Sequence, residues 1–278
     1  MKRVMVIGAA GQLGSVVTAR FAKQHEVFPL TRADLDVVDE AAVLEAVTSR
    51  RPDVLINCAA YTNVDAAEES PSEALAVNAF GALGLARAAN VVGATLVHYS
   101  SDFVFDGESD RPYVETDSAR PIAHYGASKL LGEWFAAESP AAYVLRVESL
   151  FGGKPARSSI DKILAAIRAG APVRVFADRT VTPSYVDDVA QATEQLLTTR
   201  AAFGVYHCVN SGVSTWLGIA EEALRLMGGN APLVPIGLGD LKLKARRPRY
   251  CALSNQKLVD AGVPMPTWQD ALRRHLKL

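Results

Sequence analysis

The chain has 278 residues, a formal net charge of −1 and 49% hydrophobic residues, an ordinary globular composition with room for one large domain and a smaller lobe. The balanced charge gives no ground for a nucleic acid or an anionic membrane as partner, and no run of about 18 unbroken apolar residues predicts a membrane span. Cys58, Cys208 and Cys251 lie far apart with no Cys-x-x-Cys pair, so they read as reduced thiols of a cytoplasmic protein rather than as a disulfide frame.

Lys2-Arg3 before an apolar run imitates a signal peptide, but Gly8, Gly11, Gln12 and Gly14 break the run. Val4-Met5-Val6-Ile7 reads instead as a strand buried on both faces of a parallel sheet. Gly8-Ala9-Ala10-Gly11-Gln12-Leu13-Gly14 then opens a helix. This G-x-x-G-x-x-G turn between strand and helix brings backbone N–H groups to a pyrophosphate, which a side chain would hold off. A second strand, His25 to Leu30, delivers Thr31-Arg32 where dinucleotide folds often carry an acidic residue for the ribose 2′-hydroxyl. A threonine and an arginine there favour NADP(H), with NAD(H) as the alternative. Leu35-Asp36-Val37 is expected as a short third strand, with Asp36 placed to accept from the adenine amino group.

Ala41 to Arg50 reads as helix and Asp53 to Asn57 as another buried strand. The small residues of Cys58-Ala59-Ala60-Tyr61-Thr62 let the backbone close over the cofactor. Glu68 to Val91 is helical apart from Pro71, and the strand Thr95 to Tyr99 delivers Ser100-Ser101-Asp102 at its carboxyl end, where open parallel sheets place ligands. Tyr125 and Lys129 stand four apart on one face of the next helix. A lysine beside a phenol lowers its pKa from about 10 toward working pH, and a hydroxyl such as Ser101 can hold a carbonyl oxygen as it gains charge. The three residues make a carbonyl reductase or alcohol dehydrogenase site.

Tyr143 to Val147 is a further strand, Ile160 to Ala169 and Asp187 to Leu197 are helices, and Gly204 to Cys208 is a strand. The alternation predicts an α/β fold with a doubly wound parallel sheet and a smaller C-terminal α/β lobe. Residues 1–150 with about 177–210 are expected to bind the dinucleotide, and about 151–176 with 211–278 to bind substrate. The basic run ending Arg246-Arg247-Pro248-Arg249 offers guanidinium groups to a diphosphate, and Trp216 an apolar face to a base or sugar.

Several blocks together carry a family resemblance: Gly8-x-x-Gly11-Gln12-Leu13-Gly14, Ile56 to Asp65, Val77-Asn78, Ser100-Ser101-Asp102-Phe103-Val104-Phe105-Asp106-Gly107, Tyr125-Gly126-x-Ser128-Lys129 and Arg247-Pro248. Over essentially its whole length the chain resembles the extended short-chain dehydrogenase/reductases, and among them most the dTDP-4-dehydrorhamnose reductase family. The resemblance implies hydride transfer from a nicotinamide to the C4 ketone of a nucleotide-linked 6-deoxyhexose, in a monomer or homodimer. Tyr125 would protonate the alkoxide, Lys129 would tune Tyr125 and hold the nicotinamide ribose, and Ser101 would bind the ketone oxygen. Asp102, Phe103, Trp216 and Arg247 would complete the substrate site.

Three departures stand out. Phe103 replaces the family's usual tyrosine, and Arg146-Val147-Glu148-Ser149 stands where Arg-Thr-Ser-Trp is common. Val16 occupies the position of a glutamate that holds a dimer-bridging metal in some members, so no metal is expected. Phe103 also takes the place of the acid that a sugar 4,6-dehydratase needs. A 4-epimerase, and an NADP-binding regulatory subunit similar to that of methionine adenosyltransferase, are the alternative readings.

Overall fold

The computed structural model describes residues 1–199 and 201–278. Strand β1 (Arg3–Ile7) is buried from Val4 onward and runs into helix α1 (Gln12–Phe21). Gly11 caps α1 without a side-chain hydrogen bond, which leaves the first N–H groups of the helix free for an anion. After β2 (Glu26–Leu30) comes α2 (Glu40–Arg50), whose first turn is capped by Asp39 accepting from the Ala42 N–H at 3.0 Å. Strands β3 (Val54–Asn57), β4 (Thr95–Ser101) and β5 (Ala142–Val147) follow, buried throughout except for the partly exposed Thr95.

All pairings in the main sheet are parallel, and its order is Gly204–His207, β5, β4, β3, β1, β2. The chain order reverses between β1 and β3, so the crevice of a doubly wound sheet opens at their carboxyl ends. Gly8 follows β1 and Cys58-Ala59 follows β3, one on each side of that crevice.

Two expectations change. Leu35-Asp36-Val37 is not a strand but a turn beyond the sheet edge. Asp34 accepts from Thr31 N and Oγ1 at 2.9 and 2.7 Å, and Asp36 Oδ1 from Val38 N at 3.1 Å. Such local side-chain bonds compete with strand pairing, while Leu35 and Val37 still bury their side chains. Pro71 begins a helix rather than interrupting one: α3 (Ala66–Glu69) and α4 (Pro71–Leu75) are separate, with proline at the first helical turn. A π-helical turn, Ala76–Phe80, leads into α5 (Gly81–Val92). By length and composition alone Pro71–Val92 could cross a membrane, but α5 packs Leu85, Ala86, Ala88 and Ala89 into the core with α2 and the sheet.

The later part of the chain builds its own apolar core from Phe151, Ile160, Leu164, Val175, Ile219, Trp268 and Leu272. The basic run is a loop strapped back over α3. Arg247 Nη2 donates to Asp65 Oδ2 at 2.8 Å, Ala245 N to Asp65 Oδ1 at 3.0 Å, and Lys244 pairs with Glu69.

Candidate active site

The crevice holds a cavity of about 620 Å³ lined by Gly8, Ala10, Gly11, Arg32, Asp36 and Val37 on one side and Cys58, Ala59, Ala60, Tyr61 and Thr62 on the other. Gly8 has φ +76°, and a Cβ built on it would lie 2.7 Å from the Ala59 nitrogen. Only glycine holds that conformation and that approach without strain. A backbone cradle beside uncapped N–H groups of α1 fits a dinucleotide phosphate. Gln12, Leu13, Gly14 and Ser100 serve this cradle from behind. Gln12 Nε2 donates to Gly152 O at 2.8 Å and Leu13 is core. A Cβ on Gly14 would meet Gly8 O at 2.2 Å, and the Ser100 hydroxyl donates to Glu133 rather than facing the cavity.

Helix α6 (His124–Ala136) carries Tyr125 and Lys129, both buried. Ala123 caps it without a side-chain bond, and Glu68 accepts from the first N–H, His124 N, at 2.8 Å. Gly126 sets its position, since a Cβ there would lie 2.1 Å from Phe103 O. That closeness brings Tyr125 against the turn after β4, which carries Ser101. Asn78, unassigned by sequence reasoning despite its place in a recognised block, ties the cofactor loop to this helix. It accepts from Tyr61 N at 2.8 Å and donates to Tyr61 O at 3.1 Å and Ser128 Oγ at 2.9 Å.

The electrostatics differ from the sequence expectation. The Tyr125 phenol is pushed up to about 12, first by burial, with the Ser101 hydroxyl pulling it down and the Asp102 charge adding to the rise. Lys129 is not what perturbs it in this structure. The Lys129 ammonium donates to Tyr99 O at 2.6 Å, and burial draws its own pKa down to about 8 against the favourable charges of Glu133 and Cys58.

Beside the helix, Phe103 stands edge-on to Tyr125 with ring centroids 5.4 Å apart. Arg179 and Arg247 each lie 5.9 Å from the Phe103 ring centre. Arg179, which sequence reasoning passed over, also lines a second cavity of about 250 Å³ with Lys162, Arg174, Phe176 and Trp216. Trp216 is 7% exposed and largely core, yet its Nε1 has no hydrogen-bond partner among the described residues. Arg247 lines a separate cavity with Gly107, Leu243 and Arg249, its guanidinium already held by Asp65 and by Ala245 O at 3.1 Å.

A doubly wound sheet with a dinucleotide cleft, and Tyr125 and Lys129 one turn apart beside Ser101, defines a protein of the extended short-chain dehydrogenase/reductase class. The family model described as RmlD substrate binding domain matches residues 1–278, and the chain belongs to that family, which makes it an NAD(P)-dependent oxidoreductase. It is 38% identical over 280 residues to a dTDP-4-dehydrorhamnose reductase of Mycobacterium tuberculosis, covering 98% of this chain and 91% of the relative. A Burkholderia thailandensis dTDP-4-dehydrorhamnose reductase is 35% identical over 288 residues, 97% and 96% of the two chains. The crystal structure of dTDP-4-dehydrorhamnose reductase from Bacillus anthracis in complex with NADP superposes with a TM-score of 0.95 at 31% identity, covering 99% of each chain.

Proposed function

We propose that the protein reduces the keto group of a nucleotide-linked 4-keto sugar, of the dTDP-4-dehydrorhamnose kind, and prefers NADPH to NADH. The observation that carries this reading is that Tyr125 clusters with Tyr61, which lines the backbone-walled crevice, and stands edge-on to Phe103, whose ring centre lies 5.9 Å from Arg179 at the second cavity. Bound NADPH supplies a hydride. Tyr125 gives its proton to the carbonyl oxygen as that oxygen becomes an alkoxide, a stronger base than a phenolate at about 12. Ser101 donates to the same oxygen, favouring the charged transition state over the ground state. Lys129, charged below about 8 and donating to Tyr99 O in this structure, would hold the ribose of the bound nicotinamide.

The second cavity suits the nucleotide. Arg174 and Lys162 supply cations for phosphates, and Phe176 and Trp216 an apolar wall. The test is NADPH oxidation with a panel of nucleotide-linked 4-keto sugars. Turnover of at least one, competed by the free nucleoside diphosphate, is the expected result. A protein that binds NADPH and leaves the whole panel unreduced overturns the reading.

A further inference from the structure

Behind Ser101 lies a cluster the proposed reaction does not use. Ligand atoms of Asp102, Glu148 and Cys251 all lie within 4.8 Å of one another, and the three residues are 4%, 1% and 1% exposed. Such a set could hold a cation, but a cation is already there. Arg179 Nη2 donates to Cys251 Sγ at 3.3 Å and its Nε to Pro248 O at 3.1 Å. One guanidinium balances one carboxylate. Two ionised carboxylates in so buried a site are far costlier than one carboxylate and one acid.

The hydrogen bonds say which carboxyl keeps the proton. Glu148 Oε2 accepts from both the backbone N–H and the hydroxyl of Thr182, whose oxygen in turn accepts from Leu253 N at 3.2 Å. Among the described residues its other oxygen accepts only from Ser149 Oγ at 3.4 Å, a long contact that leaves room for a proton. Ser149 itself sits at φ +45°, a strained position for a residue with a side chain. Burial and then the Asp102 charge hold Glu148 well above the carboxylate range, while burial against the pull of Arg179 brings Asp102 to about 6. The other titratable groups facing the pair are Cys251, Tyr125 beside Asp102, and Tyr250 beyond Glu148.

Ser101 reports on this pair. Its oxygen accepts from Phe103 N at 3.2 Å, and its one hydrogen goes to Asp102 Oδ1 at 2.9 Å. While Asp102 is ionised that hydrogen is not free for a carbonyl. We propose that Glu148 and Asp102 form a proton-sharing positioning pair: Glu148 retains one proton, and a second on Asp102 turns it from acceptor to donor, releasing the Ser101 hydrogen to the bound carbonyl. The second step rests on the reductase reading; the first does not.

Two measurements test it on the intact protein. In the first, kcat/KM for a 4-keto sugar with NADPH is followed against pH. Wild type is expected to lose about tenfold per pH unit above about pH 6, and Asp102→Asn and Ser101→Ala to give flat profiles between about pH 5.5 and 7.5. Persistence of the wild-type slope in either variant overturns the link through Ser101. In the second, which needs no substrate, melting temperatures of wild type and Glu148→Gln are compared across the same range. A carboxyl raised in the folded state loses stability as pH climbs from its unfolded value of about 4.3 toward its folded one. The glutamine variant's advantage should therefore grow with pH, and a gap that stays constant overturns the shared proton. If wild type reduces no keto sugar, the reductase reading falls, and the melting series by itself upholds or overturns the pair.

Discussion

On the cofactor side of the cleft the wall is mostly backbone and small side chains: Gly8 and Gly11 opposite Ala59 and Ala60, with Asn78 holding the loop from behind. On the side proposed for substrate the wall is charged and aromatic: Arg179 and Arg247 each lie 5.9 Å from the Phe103 ring centre, and the Asp102–Glu148 cluster lies by Arg179. A backbone wall reads what all dinucleotides share, a phosphate and a ribose. A side-chain wall reads what distinguishes one substrate from another, and it does so with groups that must themselves be neutralised. Selectivity and pH sensitivity should both concentrate on the second wall.

The largest effect expected is at the junction of the two. Tyr125→Phe keeps the ring against Phe103 and removes the proton, so kcat should fall about 10³-fold, within the range of lost general acids, while the NADPH Kd stays near wild type. Single-turnover kinetics with titration of cofactor fluorescence separate the two. A variant that keeps most of its turnover would show that another group gives the proton.

How much of each wall could be read beforehand follows from the same contrast. Gly8, Gly11, Ala59 and Ala60 are contiguous with strand ends, and their spacing alone announces a turn that approaches phosphate. Tyr125 and Lys129 share a helix face, so their juxtaposition is local too. Arg179, Glu148 and Cys251 lie on three distant segments, and no spacing rule joins them; Glu148 was visible only as a departure from a family pattern. Arg247 was recognised, but not its partner Asp65, because an ion pair across 182 positions leaves no local trace. The turn at Leu35 to Val37 was misread as a strand because its alternating apolar residues are buried beneath the cavity rather than in the sheet.

Gly126→Ala tests whether backbone closeness sets the junction. A Cβ 2.1 Å from Phe103 O forces α6 away from the β4 turn, so a loss of about 2–4 kcal/mol in stability is expected, with turnover falling further than cofactor affinity. Chemical denaturation measures the first; an unchanged midpoint would mean the helix position is fixed by something else.

Arg247→Ala probes the strap. The guanidinium must leave Asp65 to grip a diphosphate, so its net contribution is smaller than a free arginine's. KM for the nucleotide sugar should rise about tenfold, in line with one charged hydrogen bond of about 1.5 kcal/mol, with the cofactor Kd unaffected. Asp65→Asn should move KM the other way by freeing the arginine. If both variants raise KM equally, the pair is a brace for the loop and not a ligand contact.

The smallest effect belongs to the cofactor wall, at its exposed arginine. Thr31 is committed to Asp34 through both its N–H and its hydroxyl, so Arg32 is left to meet a 2′-phosphate at the rim of the cavity. The residue is exposed, and solvent screens what it gains: a surface charge of this kind contributes roughly 1 kcal/mol or less. Arg32→Ala should therefore lower the ratio of kcat/KM for NADPH over NADH about fivefold, through KM for NADPH and not through kcat. The wild-type ratio should also shrink as salt is raised, because exposed charges are screened within about 8–10 Å at physiological ionic strength, and the variant's should respond less. Asp34→Ala offers the opposite perturbation: it removes a carboxylate beside the phosphate position and releases Thr31 as a second donor, so it should increase the ratio. Steady-state kinetics with both cofactors at two salt concentrations decide the matter. A ratio that neither substitution moves would assign cofactor choice to the backbone wall alone, and the contrast between the two walls would then be one of substrate reading only.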